Sequence, residues 1–174
     1  MSRSIRLAFA AVFVTLVALP AAAQMRALSD PVVAHPDPES LFTSRDKAIH
    51  RNKQAALHIM RELLQCNHWK DADRWMSKDY IQHNPNLPTG REPVVQFFSR
   101  IRRPAERCER LTSALVAVVA QGDLVTVVWR MECPDSHGKG RYTSSWFNLW
   151  RIENGQVAEH WDPAMKAPLT CQIG

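Results

Sequence analysis

The chain has 174 residues, of which 45% are hydrophobic and 22% charged, with a formal net charge of +5. That is enough apolar material for one globular domain with its own core, and no internal repeat points to a solenoid or array. Arg100, Arg102, Arg103, Arg107 and Arg110 cluster without interleaved aromatics, so they read as a solvated linker and no nucleic acid is expected as partner.

The N-terminus has the build of a secretory leader. Arg3 and Arg6 supply a positive start, Leu7 to Leu19 an apolar stretch, and Ala21-Ala22-Ala23 a cleavage site before Gln24. The apolar run is shorter than the ~20 residues that a membrane span needs, although a retained anchor is the alternative. Residues 1–23 are therefore expected to be removed, leaving a periplasmic or secreted protein with no membrane association. Losing the two arginines lowers the charge from +5 to +3. Residues 24–45, with Pro31, Pro36 and Pro38, read as an extended arm that is ordered only if it lies against the domain.

The domain proper is expected over 46–166, followed by a tail, 167–174. Ile49, Ala56, Ile59, Met60, Leu63 and Leu64 fall at helical spacing, with Ser44 as N-cap and Asn67 at the end. A short second helix is expected from Trp69 to Met76, and a third from Arg91 to Arg100 with Val94, Val95, Phe97 and Phe98 buried. Between them, Tyr80 to Gly90 contains Pro85 and Pro88 and reads as loop and turn. The β-branched runs Arg110 to Ala120 and Leu124 to Cys133 form one hairpin about Gln121-Gly122-Asp123. Tyr142 to Trp150 opens another, which turns at Asn154-Gly155 because a type I′ turn needs positive φ at both central residues. Helices first, then about four antiparallel strands, make an α+β domain with a pocket on the concave side of its sheet.

The second hairpin carries the candidate chemistry. In regular register Leu149 faces His160 and Phe147 faces Asp162, so period-2 geometry puts all four on one face. A carboxylate and an imidazole then share an apolar wall. Four cysteines follow the leader, and four allow three pairings. A hairpin turning at Gln121-Gly122 sets Cys133 opposite Arg110, whose face Cys108 shares, which favours Cys108–Cys133 and leaves Cys66 with Cys171.

Tyr80-Ile-Gln-His-Asn-Pro85, Gly90-Arg91, Gly122-Asp123-Leu-Val-Thr-Val127, Phe147 and Asn154-Gly155-Gln-Val-Ala-Glu-His-Trp-Asp162 follow one another in an order that resembles a known family. It is the SnoaL-like branch of the nuclear-transport-factor-2-like superfamily, and within it the predicted SnoaL-like aldol condensation-catalysing enzymes. The resemblance runs from about Asp46 to Lys166. It implies a cone-shaped, curved antiparallel sheet wrapped by three helices around a deep apolar pocket, often in a homodimer. It also implies aldol-type ring closure without metal or organic cofactor, with a carboxylate near the end of the last strand as acid and base. Asp162 is the position that fits, with His160 and His83 beside it. The leader, the arm and the four cysteines depart from the cytosolic cyclases.

Each residue has a plainer reading. Asp162 is either a poised base in a dry pocket or a rim carboxylate satisfied by backbone N–H groups where Pro163 ends the strand. His160 orients Asp162 or is a hydrogen-bonded core histidine, and His83 with Asn84 lines the pocket or only fixes a turn. Tyr80 presents its hydroxyl or packs as a wedge. Trp129, Trp146, Trp150 and Trp161 fill the core or an interface. A metal held by His83, His160 and Asp162 lacks any supporting motif, and no nucleophile elbow is present. Two functions follow, beside a third reading that fits the tryptophans, an interaction protein whose sheet face is only a dimer interface. One is a cofactor-independent lyase, isomerase or cyclase acting on a small hydrophobic carbonyl compound, in a pocket walled by Phe147, Leu149 and Phe97. The alternative is an exported module that holds a hydrophobic ligand or partner without chemistry.

Overall fold

A computed structural model describes residues 30–135, 138 and 140–166, together with the backbone of 172 and 173. The leader and the arm as far as 29 lie outside the described residues. Asp46 starts the first helix, α1 (Lys47–His58): its carboxylate accepts from the backbone N–H groups of Ala48 and Ile49, donors that a helix start leaves open. Ser44, the expected cap, lies just outside. A π-helical segment, Ile59–Gln65, continues α1. It stops where Asn67 takes a left-handed φ of 60° and its N–H returns to Leu63 O. Ala55, Ala56, Ile59, Met60 and Leu63 are buried along this rod.

The expected second helix is a 3-10 segment, Trp69–Arg74, and the chain then enters a strand that the sequence does not announce, β1 (Met76–Gln82). The second α-helix, α2 (Arg91–Ser99), follows. Next come β2 (Leu115–Gln121), β3 (Leu124–Pro134), β4 (Arg141–Glu153), β5 (Gln156–Trp161) and the short β6 (Gln172–Ile173). The sheet runs β1-β5-β4-β3-β2, with β6 on β3. All pairs are antiparallel except β1 with β5, which are parallel. The result is a curved α+β sheet whose inner face meets the helices. Val125, Val127, Trp129 and Met131 of β3 and Trp146, Trp150 and Ile152 of β4 alternate into that core.

The second hairpin turns as expected, with Asn154 and Gly155 at φ 51° and 78° and Glu153 opposite Gln156. Its register does not stay regular. Ile152 pairs with Val157, but Arg151 pairs with Glu159, so Ala158 is an extra residue in β5. From there Trp150 opposes His160 and Leu149 opposes Trp161. A slip of one residue reverses every side chain beyond it. Leu149 and Phe147 therefore leave the face of His160, contrary to the regular-hairpin expectation, and Phe147 is 48% exposed.

From residue 31 the arm lies against the domain. His35 N–H donates to Leu115 O, Lys53 Nζ donates to Leu41 O and Val118 O, and Phe42 is fully buried. The disulfide expectation is corrected. Cys66 at the end of the long helix bonds Cys108, not Cys171, and Cys108 does not meet Cys133. The reason is register: the turn falls at Gly122-Asp123 with Gln121 opposite Leu124, and β2 begins only at Leu115. The arginine-rich segment before it never enters the ladder and folds back on the helix end, where Ala105 N–H donates to Cys66 O and Arg102 donates to Leu64 O. Cys133 is also disulfide-bonded, and Cys171 lies outside the described residues.

The Cys66–Cys108 bond closes a separation of 42 residues. A Cys66→Ala/Cys108→Ala variant is expected to lose roughly 2–4 kcal/mol of unfolding free energy. Urea titration reads this as a lower midpoint with the far-ultraviolet spectrum retained; an unchanged midpoint would show that the segment needs no staple.

Candidate active site

Parallel pairing of β1 with β5 builds the polar end of the cavity. Gln82 is the partner of His160, and the chain continues so that His83 N–H donates to His160 O. Alternation along this strand sends Tyr80, Gln82 and Asn84 inward and Ile81 and His83 outward. The bulge in β5 turns His160 and Asp162 to the same side, where Asn148 and Trp150 of β4 wait. The cavity measures about 410 Å³. Ile59, Leu64, Trp69, Val94, Phe98, Trp129, Trp146 and Trp150 give it apolar walls, and Tyr80, Gln82, Asn84, Asn148, His160 and Asp162 form its polar end.

The carboxylate of Asp162 is held by two donors, Asn84 Nδ2 to Oδ2 at 2.7 Å and Ala164 N–H to Oδ1 at 3.0 Å. Its side chain is only 5% exposed. Hydrogen bonds to an ionised group are each worth about 1.5–3 kcal/mol, which offsets part of its dehydration. Asn84 is itself fixed: its N–H donates to Gln82 Oε1 and its Oδ1 accepts from Asn86 N–H.

His160, 7% exposed, is held at both ring nitrogens. Nδ1 lies 2.7 Å from Gln82 Oε1, which already accepts from Asn84, so this nitrogen carries the ring proton. Nε2 lies 2.9 Å from Asn148 Oδ1. Burial pushes the ring pKa down to about 4, against the opposing pull of the Asp162 charge, so the ring is neutral at pH 7. A neutral ring has one proton, and pairing at Nε2 then requires Asn148 to present its amide NH2, a half-turn that keeps the amide's shape. His160 is thus committed to the protein, with Nε2 3.9 Å from Asp162 Oδ2. Tyr80 is also buried, and its hydroxyl accepts from Gln82 Nε2 at 3.3 Å. Burial, together with the Asp162 charge, pushes its phenol pKa up, so it remains an O–H donor.

Several expected residues stand elsewhere. His83 is on the outer side of the sheet, its side chain 42% exposed, where Nε2 meets Glu159 Oε1 at 2.7 Å and the ring stacks on Trp161. Arg151 covers the same indole and bridges Glu159 to Asp123. The His83 contact in particular holds the Glu159 carboxyl below the usual range. The imagined triad of His83, His160 and Asp162 is therefore split by the sheet. Among the described residues no cluster of His, Cys, Asp or Glu is arranged to hold a metal ion. Phe97 is half exposed and Phe98 lines the cavity in its place; Phe147 and Leu149 are lost to the bulge. Gln82, Asn148 and Trp69 escaped the sequence reading. The alternation Tyr80-x-Gln82-x-Asn84 was the one signal that pointed to the first of these.

The neutral His160 makes stability depend on pH. Its folded pKa is lowered below the unfolded value of about 6.5, so protons favour the unfolded chain as pH falls through 6.5 toward 4. The contribution is fully present above the upper value, and roughly 3 kcal/mol is lost by the lower one. Urea midpoints at pH 7, 5 and 4 should fall steeply in the wild type and less in His160→Gln; equal slopes would mean that the ring is protonated in the folded state.

A family model for the SnoaL-like domain matches residues 60–160. No curated protein matches the chain in sequence. Among solved structures, a candidate polyketide cyclase from Acidithiobacillus ferrooxidans is 14% identical over 69% of this chain and 89% of its own, with a TM-score of 0.48. A candidate SnoaL-like polyketide cyclase from a Jannaschia species is 16% identical over 73% and 99%, with a TM-score of 0.46. A nuclear-transport-factor-2-like protein of unknown function from Burkholderia pseudomallei is 16% identical over 66% and 91%, also at 0.46. The family model covers more than half of the chain, and its span takes in the helix end, β1 to β4 and β5 as far as His160: this chain belongs to the SnoaL-like domain family.

Proposed function

We propose that the chain is a cofactor-independent lyase, isomerase or cyclase of small apolar carbonyl compounds, with Asp162 as base and Tyr80 as hydrogen-bond donor. The observation that carries this reading is one carboxylate, almost wholly removed from water, at the polar end of an otherwise apolar cavity. Membership of a family that includes polyketide cyclases supports it, and the leader pattern with the Cys66–Cys108 bond supports action outside the cytoplasm.

The chemistry needs two groups. Asp162 takes the proton α to the carbonyl; the C–H electron pair moves into the carbon framework and the negative charge goes to the carbonyl oxygen. Tyr80 O–H donates to that oxygen, a dipole aimed where charge develops. The enolate carbon then attacks a second carbonyl carbon or is reprotonated, and the proton on Asp162 returns to the new alkoxide or to carbon. His160 does not exchange a proton in this scheme. Its neutral ring fills the wall beside Asp162, where a second full charge would weaken the base. Gln82 and Asn84 fix the orientation of all three.

Exchange of α-protons in D2O, followed by NMR on simple ketones and aldehydes, tests this without knowledge of the substrate. The mature protein should accelerate exchange. Asp162→Asn should lower that rate by about 10²–10⁴ with the fold retained, and Tyr80→Phe should lower it by a smaller factor. Equal exchange in wild type and Asp162→Asn would overturn the assignment.

A further inference from the structure

A second cavity, of about 630 Å³, lies against the first. The two share Leu64, Trp69, Phe98 and Trp129, so one wall separates them. Trp69 and Phe98 form its centre, stacked at 4.5 Å. Beyond the wall the second cavity is lined by Met60 and by Ile101, which is exposed on its outer side. Its polar rim is taken up within the protein. Gln65 Oε1 accepts from the N–H groups of Thr112 and Ser113, and Arg102 donates to Leu64 O. What is left is mostly apolar surface, with the exposed Arg102 at its rim, and it suits an uncharged chain.

The dividing wall also holds an uncompensated group. The indole N–H groups of Trp69 and Trp75 donate to Asn67 Oδ1 and Glu62 Oε2. The indole N–H of Trp129 is buried and has no acceptor among the described residues. An orphaned buried donor calls for an explanation, and the common one is an acceptor that arrives with a ligand or a water. Trp129 opposes Trp146 and His160 opposes Trp150, so the two lie two strands (about 10 Å) apart across the sheet and four residues (about 13 Å) apart along it.

We infer that the two cavities are one binding site for an elongated apolar carbonyl compound: the reacting carbonyl sits at Asp162, a second oxygen accepts from Trp129, and the remaining chain lies in the outer chamber. This rests on the function proposed above for Asp162 and adds the length and second acceptor of the substrate.

Two probes of equal chain length test it, a long methyl ketone and the corresponding keto ester with its ester roughly 10–16 Å from the ketone. Binding is read by intrinsic fluorescence in the mature protein. The keto ester should bind about tenfold more tightly, the worth of one buried neutral hydrogen bond. Trp129→Phe should remove that preference, and Ile101→Glu, at a site where folding tolerates charge, should weaken both probes several-fold. The same ratio is measured in Asp162→Asn, so that loss of the proposed chemistry and loss of the proposed binding mode are told apart. A ratio near one in wild type, a ratio unchanged in Trp129→Phe, or no effect of Ile101→Glu would overturn the inference; the first would leave a water as the partner of the indole.

Discussion

The extra residue Ala158 in β5 is the constraint on which the cavity depends. Without it, His160 and Asp162 would share a face with Phe147 and Leu149, and the tryptophans of β4 would point away from them. With it, His160 opposes Trp150, and the inward row of β4 becomes Trp146, Asn148 and Trp150. A bulge turns a strand at the small loss of one ladder position. Here that turn brings two chemically different sets of side chains, the indoles of one strand and the titratable pair of the next, to a common wall.

A second constraint works with the first. Burying a carboxylate, an imidazole, three carboxamides and a phenol together is costly unless nearly every donor finds an acceptor. Gln82 does most of this accounting. Its oxygen accepts from Asn84 and His160, and its amide donates to Tyr80. Asn84, freed of choice by that bond and by Asn86, is left to hold Asp162. The network consumes His160 at both nitrogens and leaves Asp162 and Tyr80 as the groups with capacity to spare toward the cavity. Roles inside the site thus follow from hydrogen-bond satisfaction more than from residue type.

The far side of the molecule follows the same economy. The arginine-rich segment, which composition marks only as charged, is tied to the end of the long helix by Cys66–Cys108 and by Arg102 on the last helical carbonyls. That attachment lets Ile101 line, with Met60, the outer chamber beyond Trp69 and Phe98. On the outer sheet face, His83, Trp161 and Arg151 stack in a row above Glu159 and Asp123, a polar cluster that leaves none of its members for the cavity.

Local chemistry alone determined a good deal. Helical spacing marked the long helix and its end at Asn67, Pro and Gly placed α2, and Asn154-Gly155 set the turn of the main hairpin, because each depends only on near neighbours. The order of motifs also pointed to the family, to Asp162 and His160, which line the cavity, and to His83, which does not. Tertiary structure decided the rest. The bulge at Ala158 carries no mark in the amino-acid string, since Ala is compatible with either register, and it reversed the roles of Phe147 and Leu149. β1 finds its partner some eighty residues later, so no hairpin signal could reveal it or show that Gln82 meets His160 while His83 faces out. The cysteine pairing likewise depended on where β2 begins. Periodicity reports which residues share a face of one element; only the packing of distant elements decides which faces meet.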